Sequence, residues 1–199
     1  MKGFVLGLLL AFGTSGAVAQ SIEELQALAN ERGAELQEYR LLIQNAGPDE
    51  QRVMVRALLK SEDGDLQSLG RDFALFSQDP VLRNELIRSI LDSRRTLHVS
   101  FESEGEFPEN LREHISGNSM GGTVHGSKGS VVHAIPEPSK DVANFWSKGD
   151  KSFRLAGDTI SFDGGNGQWV ATLQDDGMMR GSFSLFGRFS VPIEIDLRK

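Results

Sequence analysis

The chain has no cysteine, and apart from its first residues it has no long apolar run. Positive charge is also scarce. Without cysteine there can be no disulfide, no thiol nucleophile, no cysteine-based zinc site and no iron–sulfur cluster. The one long apolar run, Gly3 to Gly13, falls well short of the roughly 20 residues that a membrane-spanning helix needs. Lys and Arg together number 21 against 28 Asp and Glu, a net charge of −7. The deficit is evenly spread, since residues 20–97 and 98–199 each carry 10 basic and 14 acidic side chains. Neither half is basic, so nucleic acid and anionic membrane surfaces are not expected partners.

The apolar run itself has a meaning. "MKGFVLGLLLAFGTSGAVAQ" joins a positive start at Lys2 to an apolar segment and a small-x-small site at Ala17-Val18-Ala19. That is the form of a secretory signal peptide over residues 1–19, cut before Gln20. The expected location is therefore periplasmic or secreted. No cysteine follows the cut, so a lipid anchor is excluded, and no membrane anchor of any kind is expected. About 180 residues remain, enough to bury a core without disulfide staples.

Residues 20–97 carry a helical period. Ser21 and Glu24 in "SIEE" form a capping box. Behind them Ile22, Leu25, Ala29, Leu36 and Ile43 fall on heptad positions, with Arg32 and Tyr39 in the same stripe. The expectation is one long helix whose stripe packs on the helices after it, with a coiled-coil dimer as the alternative. Three shorter helices follow. "PDEQRVMVRALLKS" is expected to bury Val53, Ala57 and Leu58. "LQSLGRDFALFS" aligns Leu66, Leu69, Phe73 and Phe76 on one face, and "VLRNELIRSILDSRR" aligns Leu82, Leu86 and Ile90. Asp79 and Pro80 supply the N-cap and first turn of the last helix.

"GPDEQRVMVRALL" and "DPVLRNELIRSIL", in a segment of about residues 49–95, resemble the helices of HEAT repeats. The resemblance implies a helix-pair scaffold that binds other proteins. It does not imply catalysis.

From residue 98 onward the period is two. Leu97, Val99 and Phe101 alternate with His98, Ser100 and Glu102, and about seven further short strands are separated by glycine-containing turns. The expected fold class is α+β, an antiparallel helical segment followed by an antiparallel β meander closed as a small barrel or sandwich. At Asp176-Gly177 a two-residue turn is expected, pairing Leu173 with Arg180 and Ala171 with Ser182. That register leaves apolar residues on both faces, so a bulge is expected near Arg180-Gly181. The stretch from Gly167 to Lys199 resembles the closing strands of lipocalin-like β modules of secreted bacterial proteins. That likeness implies architecture and no activity.

Several motifs invite sharper readings. "GNSMG" has the Gly-x-Ser-x-Gly form of a nucleophile elbow, with Ser119 as the serine. Its flanks do not read as strand-then-helix, and His125 and His133 follow too closely to complete a triad, so catalysis at Ser119 ranks a distant third. His125 and His133 flank a turn and invite a zinc pair, but no third ligand stands at a suitable spacing. The acidic stretches Glu102 to Glu106 and Asp163 to Gly167 do not match a calcium loop. No metal and no cofactor are expected. A barrel interior lined by Trp169, Phe162, Met179 and Phe183, with Trp146 over its open end, could hold an apolar ligand. The leading expectation is a non-enzymatic interaction or scaffold protein with an unidentified protein partner; the alternative is a small apolar-ligand carrier.

Overall fold

The computed structural model describes residues 22–117, 121–164, 167–185 and 189–198. Four helices come first: α1 (Ile22–Asn45), α2 (Pro48–Leu59), α3 (Gly64–Leu75) and α4 (Pro80–Ser93). Two of their starts share one device. Asp63 caps α3 by accepting from the Asp65 and Leu66 amides at 2.9 and 3.2 Å, and its second oxygen takes Arg32 of α1. Asp79 caps α4 through the Val81 amide at 2.9 Å, and its other oxygen takes Arg52 of α2 at 2.6 Å. A carboxylate at a helix start satisfies free amides and lies at the positive end of the helix dipole. The added arginine ties each cap to an earlier helix. Hydrogen bonds from backbone amides and from these arginines hold both carboxyls below the usual range: the Leu66 amide is the main cause at Asp63, Arg52 at Asp79.

Arg32 explains how the stripe of α1 is used. It reaches Glu35 at 2.5 Å and Asp65 at 3.1 Å as well as Asp63, so this polar heptad position faces the α2–α3 turn. Ile43 on the same stripe is buried. The lower half of the seam is thus covered by the chain's own helices. Towards its N-terminus the stripe is uncovered by other described residues: Ile22 is 75% exposed, and Leu25 and Ala29 are exposed too. The stripe packs only over its C-terminal part.

Two of the shorter helices, α2 and α3, turn somewhat different faces inward from those expected. α2 buries Val55, Leu58 and Leu59, whereas Val53 is 65% exposed and Ala57 also faces out. Val55, Leu58 and Leu59 are spaced i, i+3, i+4, a tighter stripe than 53, 57 and 58. α3 buries Leu69, Gly70, Ala74 and Leu75, leaving Phe73 half-buried and Phe76 exposed. Gly70 sets that face. A Cβ there would stand 2.7 Å from the Leu58 Cβ, so α2 and α3 touch at a point only glycine permits. α4 buries Leu82, Leu86 and Ile90 as expected, together with Ile87 and Leu91.

The second half is one antiparallel sheet. Its elements are β1 (Thr96–Glu102), a short helix α5 (Glu109–Ser116), β2 (Thr123–His125), β3 (Lys128–Ala134), β4 (Phe145–Lys148), β5 (Lys151–Ala156), β6 (Thr159–Gly164), β7 (Gly167–Leu173), β8 (Met178–Leu185) and β9 (Phe189–Asp196). The order across the sheet is β2-β3-β1-β9-β8-β7-β6-β5-β4. β4 to β9 form the meander that the turns predict. β1 departs from it: it lies between β3 and β9, pairing Phe101 with both Gly129 and Ile193. Trp146, expected over an open barrel end, lies instead on β4, an edge strand, and faces inward.

The sheet curls into an open half-barrel. His133 on β3 and Phe162 on β6 are five strands apart in the order, about 24 Å in a flat sheet at roughly 4.8 Å per strand. Their rings nonetheless stand 4.1 Å apart. Inward-facing residues alternate along each strand from Leu97 to Leu197, and α5 adds Leu111 and Ile115 to the same core.

The hairpin at Gly177 corrects the expected register. Gln174 and Met178 face each other, with the Gln174 amide donating to the Met178 carbonyl at 2.8 Å, and Gly177 sits at φ +81°. The loop therefore has three residues, the form in which a turn is closed by a left-handed glycine. Leu173 pairs with Met179, Ala171 with Gly181 and Trp169 with Phe183. This one-residue shift places Trp169, Ala171, Leu173, Met179, Phe183 and Leu185 on the inner face and leaves Val170 outside. The ladder is continuous through Arg180-Gly181, so no bulge stands there. Gly181 is needed for another reason, since a Cβ on it would run into the Val170 carbonyl.

Candidate functional site

The helical layer sits on the hairpin ends of the sheet through a set of polar contacts. Arg83, only 7% exposed, donates to the Leu173 carbonyl and reaches Asp175 at 3.1 Å and Asp158 at 3.5 Å. Asn84 donates to the Gly157 carbonyl at 2.6 Å, Trp146 donates its indole N–H to Asp92 at 3.0 Å, and Arg94 donates to the Leu197 carbonyl at 2.8 Å. Sequence reasoning missed Arg83 because its spacing in α4 looks like that of any surface arginine. Its position beside Leu82 and Leu86 on a buried stripe was the available signal.

The five residues expected to line a cavity are all buried: Trp146, Trp169, Phe162, Met179 and Phe183. They are brought together in one packed interior. Trp169 stacks on Phe162 with centroids 5.6 Å apart, and Phe183 stacks on Phe101 at 6.1 Å. Trp146 is committed to Asp92 at the helix–sheet junction. Within this interior lies His133, 6% exposed, its ring also 6.0 Å from Trp169 and 6.4 Å from Phe153. Its Nε2 and the Trp169 Nε1 are buried without a hydrogen-bond partner among the described residues. Burial away from water, with a smaller contribution from the Lys151 charge, pushes the imidazole down from 6.5 to about 4. It is neutral at pH 7.

His125 does not join His133. The turn between them is Gly126-Ser127, with His125 opposite Lys128. Counting along β3, this puts the two histidines on opposite faces of the sheet, and His125 is exposed. No cluster of three or more potential metal ligands exists among the described residues. His98 faces outward with Ser100 and Glu102. Ser119 and the side chain of His114 lie outside the described residues, as do the proposed signal peptide, Ser21, Gly165 and Asn166. The elements flanking Ser119 are helix α5 before it and strand β2 after it, the reverse of the order an elbow uses.

Among the concave surfaces on the helices, two exceed about 400 Å³. One, of about 440 Å³, lies between the end of α1, α3 and the start of α4. Buried Leu69 and Leu82 form its floor with half-buried Phe73, Phe76 stands 54% exposed at its edge, and Arg40 and Asp72 place one charge of each sign around it. The other, of about 660 Å³, lies along α2 and the second half of α4 and is lined by polar residues and their stems, with Leu59. No helix among the described residues is long and apolar enough to cross a membrane. Comparison with known protein families, with curated proteins and with solved structures yields no match for the chain.

Proposed function

We propose that this chain is an exported, non-enzymatic interaction module whose helical layer binds a partner protein and whose curled sheet is the rigid base beneath it. The observation that carries the reading is the groove floored by Leu69, Phe73 and Leu82, with Phe76 exposed at its rim. An exposed aromatic beside an apolar cleft, flanked by charges of both signs, is the composition of an interaction hot spot. An apolar helical segment is the partner chemistry that such a cleft takes. The HEAT-like reading of α2 and α4 agrees with it. The carrier reading ranks second, because Trp169, Phe162, Met179 and Phe183 pack on one another rather than around a space. Export rests on the Ala17-Val18-Ala19 cleavage site.

The test is site-specific crosslinking in the exporting cell. A photoreactive amino acid at position 76 should give a discrete adduct that the same group at exposed Val170, on the outer face of β7, does not give. The Phe73→Asp variant should abolish that adduct while the purified protein stays folded. Equal adducts at 76 and 170, or none at either, would refute the proposal.

A further inference from the structure

The larger groove differs in kind from the apolar one and shares no residue with it. Its lining includes Arg56, Lys60 and Arg88, with Ser89 and Ser93 beside them and Leu59 as its single apolar side chain. Two acids are present, and both are engaged. Glu85 accepts from Arg56 at 2.8 Å, and Asp92 accepts the Trp146 indole N–H at 3.0 Å. Arg88 makes only a long ion pair with Asp92, at 3.7 Å, and Lys60 has no ion pair among the described residues. At one end Gln67 accepts from Arg71 at 2.9 Å. The Arg71 Nε is buried without a partner, and Arg71 lies near enough to Arg94 to help lower that guanidinium's pKa, after the main effect of its burial. Cations thus outnumber acids along this stretch in a chain whose net charge is −7.

We infer that this groove, between α2 and the second half of α4, is a binding site for a small, multiply charged oxyanion of the phosphate-ester type. Guanidinium and ammonium groups hold such oxygens through charge-assisted hydrogen bonds, and Ser89 and Ser93 can supply neutral donors. A concave site with low-dielectric walls also focuses the field of its cations on a small anion. With Leu59 alone as an apolar contact, the groove lacks the aromatic anchors that hold a protein partner. Its concavity also suits a small molecule better than a flat bilayer.

The probe is inorganic pyrophosphate, titrated calorimetrically into the full-length mature protein at low salt, with phosphatidylglycerol vesicles as a second arm. Binding in the micromolar to low-millimolar range is expected, weakening by about tenfold or more as salt rises to roughly 0.5 M. Lys60→Ala and Arg88→Ala are surface changes that should leave the melting temperature unchanged, and together they should weaken pyrophosphate binding at least about tenfold. Phe73→Asp, which tests the apolar groove, should leave it intact. The inference is overturned if pyrophosphate does not bind below about 10 mM, if the double variant binds as well as the parent, or if only vesicles bind.

Discussion

His133 offers the sharpest test of the curled core. In the folded chain its imidazole titrates near 4, whereas in the unfolded chain it titrates near 6.5. Between those values the unfolded state binds the proton and the folded state does not. The histidine therefore costs nothing above about pH 6.5, and its destabilising effect grows as pH falls, becoming complete near pH 4. The gap between 6.5 and about 4, at about 1.4 kcal/mol per pH unit, amounts to about 3 kcal/mol. The carboxyls held low, Asp63, Asp79 and Asp176, act in a separate window. Their contributions are present above the ordinary carboxylate range and are lost only as pH falls through and below it. His133→Phe replaces the ring with one that does not titrate and removes a buried nitrogen without a partner. Urea unfolding of both proteins between pH 7 and pH 4.5 is the assay. The parent should lose about 2 kcal/mol more than the variant over that range, and at pH 7 the variant should be at least as stable. Parallel pH profiles would show that His133 is hydrated, and the contact between β3 and β6 that defines the half-barrel would be wrong.

Two other changes probe neighbouring parts of the argument. Gly177→Ala should cost more than about 1 kcal/mol in chemical denaturation, because its φ is +81° and an added Cβ would stand 3.0 Å from Leu75; wild-type stability would mean that the three-residue loop is misplaced. Arg83→Met keeps the apolar stem but leaves the buried Leu173 carbonyl without its donor, so a loss of about 1–3 kcal/mol is expected. A neutral result from the same denaturation would show that the layers are held by apolar packing alone.

What was legible in the sequence was whatever depends on near neighbours. The period of 3.6 up to Ser93 and the period of two from Thr96 both reflect a chain with one buried side, so the change of class at that point could be read directly. Asp79-Pro80 started a helix because a cap and a fixed φ act within one turn. Gly157-Asp158 turned a strand because glycine reaches the positive φ of a tight hairpin. The tertiary structure decided matters in which a local pattern allowed two answers. On α2, Val53 and Val55 are both plausible core residues, and contact with α3 at Gly70 chose Val55. At Asp175-Asp176-Gly177 two- and three-residue loops fit the same letters, and the loop that brings Trp169, Ala171 and Leu173 into the core with Met179 and Phe183 was formed. The place of β1 beside β9, the curl that brings His133 onto Phe162, and the burial of Arg83 under a hairpin carbonyl all join residues distant in sequence. No period or turn encodes such contacts. They follow from a single sheet having to close its apolar face on itself and on the helices above it.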